Sequence, residues 1–166
     1  FPDGLFSSHW SWAGLGIYAI LLLFALLGAP WRRLQDSDQL NVFLGVCVSL
    51  MLLWTLRAGV VPGLNFHLLG ATLLVLMFGW RLALIGLAVV LAGVTLSGKS
   101  GVSAYGLNAL LLSVVPVLVS HVVQRAAERW LTRHFFVYVF VHGFFNAAIA
   151  MAATGMLSAL VFLAGG

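Results

Sequence analysis

Residues 10–27 read WSWAGLGIYAILLLFALL, an uncharged and mostly apolar run that is followed by Gly28-Ala29-Pro30. About 20 apolar residues in an α-helix are enough to cross the ~30 Å hydrocarbon core of a bilayer. Pro30 cannot continue such a helix, because it has no backbone N–H to donate. The run therefore predicts a first transmembrane helix over Trp10–Leu27.

The rest of the chain has the same apolar character. Of its 166 residues, 63% are hydrophobic and 7% are charged, whereas soluble domains average about 45–50% and about 25%. A soluble protein could not bury so much apolar surface, so we expect lipid as the surrounding solvent. The net charge of +4 arises from only twelve charged residues, too sparse for a nucleic-acid surface. We expect one transmembrane domain over residues 1–166.

Further apolar segments predict an all-α bundle of about six transmembrane helices. The later spans are predicted at Leu40–Leu56, Phe66–Phe78, Leu82–Leu96, Tyr105–Val123 and from His134 onward. The third is short, which suits a half-buried helix or a thin, tilted one. Pro116 predicts a kink in the fifth. Because the last region exceeds one span, we expect a helix to about Met151, a break near Thr154-Gly155 and a further segment.

The loop charges predict the orientation of the bundle. The first, third and fifth loops contain Arg32, Arg33, Arg81, Arg125, Arg129 and Arg133. The loops on the other side contain only Arg57 and Lys99. Cytoplasmic loops carry the excess of Lys and Arg, so the arginine-rich loops, including Gln124–Arg133, are predicted to be cytoplasmic. The N-terminus is then outside.

The first residues do not predict a signal peptide, and the single cysteine excludes an intrachain disulfide. The segment that begins at Phe1 lacks the basic region and cleavage site of a signal peptide, and the missing initiator Met suggests residues upstream. Cys47 is the only cysteine, so no intrachain disulfide can form. Within an apolar run, we expect it to be a small buried hydrophobic residue.

Several polar residues on the predicted outer side are candidates for a binding site. His67 opens the third helix, where its imidazole could ligate a metal or simply hydrogen-bond a nearby carbonyl at the interface. His9 lies on the same side, beside tryptophans typical of an interfacial belt. Asp3, directly after a proline, indicates a turn. Asn108, at the start of the fifth helix, could cap that helix or line a cavity.

A second candidate lies deeper in the predicted membrane. His142 is about 12 Å from the start of the last helix at 1.5 Å per residue, and Asn146 shares its helix face. Polar groups at this depth point into the bundle, where the pair could line a substrate cavity or form an interhelical hydrogen bond. His121 and His134 flank the basic loop and are expected at the interface.

Motifs of common enzymes are absent from the sequence. It contains no His-Glu-x-x-His, no Gly-x-Ser-x-Gly and no phosphate-binding loop, so we expect no enzymatic activity. Any ATPase that drives the protein would be another subunit. No carboxylate lies within a predicted span, which argues against a proton-driven antiporter.

Three motifs, in this order, resemble those of the CbiM/NikM family. They are Pro2-Asp3-Gly4, then Phe66-His67-Leu68-Leu69-Gly70-Ala71, then Gly106-Leu107-Asn108 with Pro116 downstream. Members of that family are membrane substrate-capture components of energy-coupling-factor transporters for cobalt and nickel. Their metal is held near the outer face by the N-terminal amine, a histidine at the second position and a histidine equivalent to His67. Because this chain begins at Phe1, only His67 carries over.

The resemblance implies a capture subunit for a divalent transition metal (cobalt, nickel or zinc) in a bacterial inner membrane. Its implied metal ligand is His67. From their positions in the sequence, we name His9 as a second candidate ligand, although it could equally be a solvated neighbour of the tryptophan belt. We name Asp3, Asn108, His142 and Asn146 as candidates to line the cavity. Two alternatives are an accessory subunit that has lost metal binding and a haem-binding electron-transfer subunit. The second alternative needs two histidines at matching depth, which His67 and His142 do not offer.

The resemblance also implies partner chains, namely a transmembrane coupling protein and ATPase subunits. Docking surfaces in lipid favour small residues, which let helices approach closely. Two small-residue faces are candidates, one on the first helix (Ala13, Gly14, Gly16) and one on the sixth (Ala147, Ala148, Ala152). Either face could equally pack inside the bundle.

Overall fold

The computed structural model describes residues 8–55, 67–96, 105–130, 136 and 138–165. Within these residues every regular element is a helix, and no strand occurs. Six helices follow one another along the described part of the chain, which confirms the predicted all-α bundle.

The first four helices are α1 (Ser8–Gly28), α2 (Ser37–Thr55), α3 (His67–Phe78) and α4 (Trp80–Leu96), with a 3₁₀ turn over Trp31–Gln35. The fifth, α5, consists of Tyr105–Ala109, a π-helical stretch Leu110–Val114 and Val115–Trp130. The sixth, α6, consists of a π-helical stretch Tyr138–Phe145 and Asn146–Gly165.

Three segments of the described chain are long and apolar enough to cross a membrane: Ser37–Trp54, Leu110–Trp130 and Val139–Val161. α1 and α4 add the shorter apolar segments Trp12–Gly28 and Trp80–Leu96. The protein is therefore a multi-pass membrane protein.

α3 is a short helix with one face in the core. Its 12 residues extend about 18 Å, less than the hydrocarbon thickness. Ala71, Leu74, Val75 and Phe78 are buried at helical spacing, whereas Leu73 on the other face is exposed. This arrangement agrees with the half-buried alternative for the third helix.

Gly79 makes the tight turn between α3 and α4. Its φ of 82° is left-handed, a conformation that glycine adopts without steric cost. Its N–H donates to Val75 O at 2.9 Å, and its own carbonyl accepts from Ala83 N at 3.0 Å. One residue is thus enough to reverse the chain between two packed helices.

The described arginines lie at one end of the bundle, which we call the arginine end. The Arg81 Nη1 donates to Gly28 O, which joins the start of α4 to the end of α1. The Trp80 ring centroid lies 6.0 Å from that of His121, and the α5 arginines follow His121 by one and two turns. Arg32 and Arg33 are in the 3₁₀ turn that follows α1. Arg133, Arg57 and Lys99 lie outside the described residues.

The opposite end, where α1, α3 and α5 begin, is called the N-terminal end. Gly106 of α5 lies against Leu15 of α1, and Gly70 of α3 lies against Leu50 of α2. Gly93 near the end of α4 lies against Met51 of α2. The helices therefore alternate in direction, as the loop charges required. That the N-terminal end faces outward stays a prediction of the positive-inside rule.

The prediction of a basic loop over Gln124–Arg133 is wrong for residues 124–130. α5 continues to Trp130, and Gln124 Nε2 donates to Glu128 Oε1 at 3.1 Å, one turn apart. Arg125 and Arg129 are exposed on this extension. A helix can leave the membrane without ending, because water satisfies its polar side chains.

The break predicted near Thr154-Gly155 is also wrong. α6 is α-helical from Asn146 to Gly165, and the buried Thr154 Oγ1 donates to Ala150 O at 2.8 Å. This bond along its own helix satisfies the hydroxyl in an apolar setting. The irregular part of α6 is instead the π-helical stretch Tyr138–Phe145 at its start.

Pro116 is buried directly after the π-helical stretch of α5. Proline lacks an N–H and crowds the carbonyl of the preceding turn. A widened turn removes this conflict while keeping the helix continuous. The expected irregularity in the fifth helix thus takes the form of a π-helical turn before the proline.

Candidate functional site

The two histidines predicted as metal ligands belong to helix starts at the N-terminal end. His67 is the first residue of α3, and His9 is the second residue of α1. Their side chains, and all of Asp3, lie outside what the structure describes. The topology therefore places both backbones at one end of the bundle, as the sequence predicted.

Packing explains the small residues that follow His67. A Cβ at Gly70 would overlap the side chain of Leu50 on α2, and Ala71 is fully buried. Gly70 and Ala71 thus let the first turn of α3 approach α2 closely. The start of α3, and with it His67, is positioned by this close contact.

Gly106 has a similar role at the start of α5. A Cβ there would lie 2.6 Å from the Cα of Leu15 on α1, so only glycine permits this approach. Tyr105 packs beside it, with its ring centroid 6.2 Å from that of Tyr18 in an edge-on arrangement. Gly106 therefore holds the beginnings of α1 and α5 together. The Asn108 side chain lies outside the described part.

A buried polar cluster joins α3, α5 and α6 within the bundle. The Thr72 and Ser120 hydroxyls lie 2.9 Å apart. Asn146 Nδ2 donates to Ser120 O at 3.1 Å, and Thr72, Ser120 and Asn146 are all at most 2% exposed. His142, one turn before Asn146, is 7% exposed. The structure thus joins three polar residues from three helices, and His142 is buried one turn away from Asn146.

Asn146 forms the interhelical hydrogen bond that was one of its two predicted roles. Its Oδ1 and the Ser113 Oγ are buried and have no hydrogen-bond partner within the described residues. Unpaired polar groups are costly in a membrane interior. Whether His142 and Asn146 also line a substrate cavity stays a prediction.

Sequence reasoning missed Thr72 and Ser120 as members of this cluster. Both are hydroxyl residues within predicted apolar spans, and polar side chains at membrane depth face the bundle interior. That signal could have identified them. It could not have paired them, because 48 residues separate the two along the chain.

Two minor predictions concern His121 and Cys47. The His121 ring is half-buried beside Trp80 at the arginine end, in agreement with an interfacial position, whereas His134 lies outside the described residues. Cys47 is 3% exposed and free, as predicted for a small buried hydrophobic residue.

The described residues contain no group of three or more His, Cys, Asp or Glu side chains that could hold a metal. A surface cleft of about 370 Å³ at the arginine end is lined by Asp36, Asp38, Gln39, Val42, Met77 and Phe78. It lies at the opposite end from His67.

The two small-residue faces differ in exposure. On α1, Gly14 is buried, whereas Ala13 and Gly16 are exposed. On α6, Ala148 and Ala152 are exposed and Ala147 is half-buried, whereas Ala150 is fully buried. Both helices thus carry small residues on the surface of the bundle, with Gly14 packed inside.

Residues 1–166 match the family described as the cobalt uptake substrate-specific transmembrane region, CbiM. The match covers the whole chain, in agreement with the motifs at its start, at His67 and at Gly106. Neither a curated protein nor a solved structure matches the chain.

Proposed function

The chain belongs to the CbiM family of cobalt uptake transmembrane proteins, and from this premise we propose that it is the metal-capture subunit of an energy-coupling-factor transporter. The single observation that supports this most is the family match over the whole chain. The placement of His67 at the start of a packed helix, away from the arginine end, supports it further.

The substrate would be Co²⁺, with Ni²⁺ as the competing cation. Neutral imidazole suits both metals, and the proposal assigns His67 and His9 to the metal. The N-terminus of a helix carries about +0.5 charge, which repels a bare cation. A metal beside His67 therefore needs an anionic group nearby, and Asp3 is the proposed source of that charge.

Asn108, His142 and Asn146 have supporting roles in the proposal. Asn108 follows Gly106, the residue that holds α5 against α1, and would line the cavity. Asn146 belongs to the buried polar cluster, and His142 is buried one turn before it on α6. They would line the inner part of the cavity while tying α5 to α6.

Energy for uptake would come from other chains. The sequence has no phosphate-binding loop, so ATP hydrolysis is assigned to ATPase subunits and its relay to a transmembrane coupling protein. The whole assembly would sit in a bacterial inner membrane.

Metal binding by the purified protein tests this function. Protein with its native N-terminus is equilibrated with Co²⁺ and, in competition, Ni²⁺ and Zn²⁺, and bound metal is measured by mass spectrometry. We expect near-equal stoichiometry for the wild type. His67→Ala should weaken binding by more than about tenfold, since even indirect changes around a ligand reach that size.

His121→Ala is the matched control, because His121 lies at the arginine end. It should bind metal as the wild type does. Absence of metal in the wild type would favour the accessory-subunit alternative, and a Soret band in its absorption spectrum would favour the haem alternative. Equal loss in both variants would show that His67 has no specific role.

A further inference from the structure

Arg81 is the most confined cation of the described chain. Its guanidinium Cζ lies 5.1 Å from the Trp80 ring centroid and 5.9 Å from that of Phe24. These two rings stack on each other, with centroids 6.3 Å apart. Together with the bond from Nη1 to Gly28 O, the rings fix the guanidinium at the end of α1.

The fixed guanidinium occupies the space that a larger residue at position 28 would need. A Cβ at Gly28 would lie 2.6 Å from the Arg81 Cζ. Because Gly28 has no side chain, it leaves the space that the guanidinium occupies. The positive charge also complements the negative C-terminal end of the α1 dipole, about half an elementary charge.

The partial negative charge at the end of α1 balances only part of the positive charge of Arg81. Its contacts within the described residues are one carbonyl and two rings, and no carboxylate is among them. Nε is buried and has no acceptor in the same part of the chain, so an external anion would meet the guanidinium at its Nη atoms. A half-buried cation in an apolar setting is stabilised by a nearby anion far more than a solvated one.

The surroundings indicate where that anion comes from. Phe24 is 59% exposed, and Leu23 and Leu27 beside it on α1 are 56% and 79% exposed. In a multi-pass membrane protein such exposed apolar residues face lipid. The guanidinium therefore lies where lipid headgroups meet the helix ends. Exposed Arg125, one turn beyond His121 on α5, adds positive potential at this end.

We propose that Arg81, beside the stacked rings of Phe24 and Trp80 at the end of α1, binds the phosphate of an anionic phospholipid. The planar guanidinium suits phosphate oxygens, to which it donates strong charge-assisted hydrogen bonds. The aromatic rings and the exposed leucines provide apolar contacts for the glycerol and acyl chains. The proposal goes beyond the capture of metal, which belongs to the other end of the bundle.

Lipid retention measured by native mass spectrometry tests the site. The full chain is taken from nanodiscs of equal parts phosphatidylglycerol and phosphatidylcholine, and retained lipids are counted. We expect one phosphatidylglycerol to be retained on the wild type. Arg81→Gln should reduce it by at least about tenfold, as expected for a hydrogen bond to a charged group.

Arg33→Gln is the matched control, because Arg33 is an exposed arginine at the same end. It should keep the lipid within about twofold, as a peripheral charge that is screened by salt would. Equal loss in both variants would show only a diffuse basic surface and overturn the proposal. Unchanged retention in Arg81→Gln would overturn it as well.

Two further measurements cover folding and the source of phosphate. If Arg81→Gln does not fold, Arg81→Lys keeps the charge but loses the planar fork, and we expect intermediate retention. Inorganic phosphate is added to the protein in detergent, and the melting temperature is followed. Stabilisation by phosphate equal to that by phosphatidylglycerol would identify free phosphate as the ligand and overturn the lipid assignment.

Discussion

At the scale of single residues, two glycines within helices have different surroundings. Gly106 faces the backbone of Leu15, whereas a Cβ at Gly16 would meet nothing within 4 Å. We expect Gly106→Ala to destabilise the bundle by about 1–3 kcal/mol, because a backbone cannot rotate away as a side chain can. Thermal unfolding in one detergent measures this.

Gly16→Ala is the control for the effect of alanine itself. In open space it should be neutral or stabilise the helix by about 0.4–1 kcal/mol, through lower entropy of the unfolded chain. If Gly106→Ala were as harmless as Gly16→Ala, the close approach of α1 and α5 would be refuted.

Residue types could be predicted from the sequence better than residue partners. The burial of Cys47 follows from its place in an apolar run. The burial of His142 and Asn146 follows because polar side chains at membrane depth point into the bundle. The partner of Arg81 could not be predicted, since Gly28 lies 53 residues away. That pairing depends on which helix ends meet, which no local pattern encodes.

At the scale of helices, the Thr72–Ser120 hydrogen bond joins α3 to α5. Thr72→Val keeps the side-chain shape, and Ser120→Ala removes the other hydroxyl. We expect a coupling free energy of about 0.6 kcal/mol, and at most about 1.7, as found for such bonds in membranes. A double-mutant cycle on unfolding free energies measures it.

Ser49 on α2 provides the comparison, because its hydroxyl donates to Gly45 O in its own helix. Ser49→Ala combined with Ser120→Ala should be additive. Additive free energies for Thr72 and Ser120 as well would mean that their hydroxyls do not interact.

Helix number could be predicted, but helix ends could not. Apolar runs identify the parts of α5 and α6 that are suited to lipid. They do not identify the helix ends, because a helix can continue beyond its apolar part. The Gln124–Glu128 pair extends α5 beyond the apolar run. Thr154 binds the carbonyl of its own helix and so does not interrupt α6. The hydropathy pattern predicts breaks at such polar residues because it does not include these local hydrogen bonds.

At the scale of the whole molecule, the alternating direction of the helices could be predicted, because the arginines occur in every second connection along the chain. The arginines of the loop after α1, the start of α4 and the end of α5 share one end, which the positive-inside rule requires. The geometry around His67 could not be predicted in the same way. It depends on contacts between side chains from different helices, which no periodicity of the sequence determines.

The exposed small residues predict where the coupling protein of the proposed transporter would dock. Gly16 on α1 and Ala148 on α6 are exposed, and in lipid such positions let a second helix approach closely. We expect Gly16→Leu or Ala148→Leu to weaken co-purification with the coupling protein while the bundle stays folded. Gly14, which is buried, is no longer part of this surface.

Two controls separate docking from folding in that experiment. Gly45→Leu on α2 also enters open space, so it should fold and co-purify normally. Ala150 is fully buried, so Ala150→Leu should destabilise the bundle by about 1–3 kcal/mol through overpacking. If Gly16→Leu and Ala148→Leu both fold and still co-purify, neither face is the docking surface. The exposed end of α5 around Arg125 and Arg129 would then be the next surface to substitute, because its charges project beyond the apolar span.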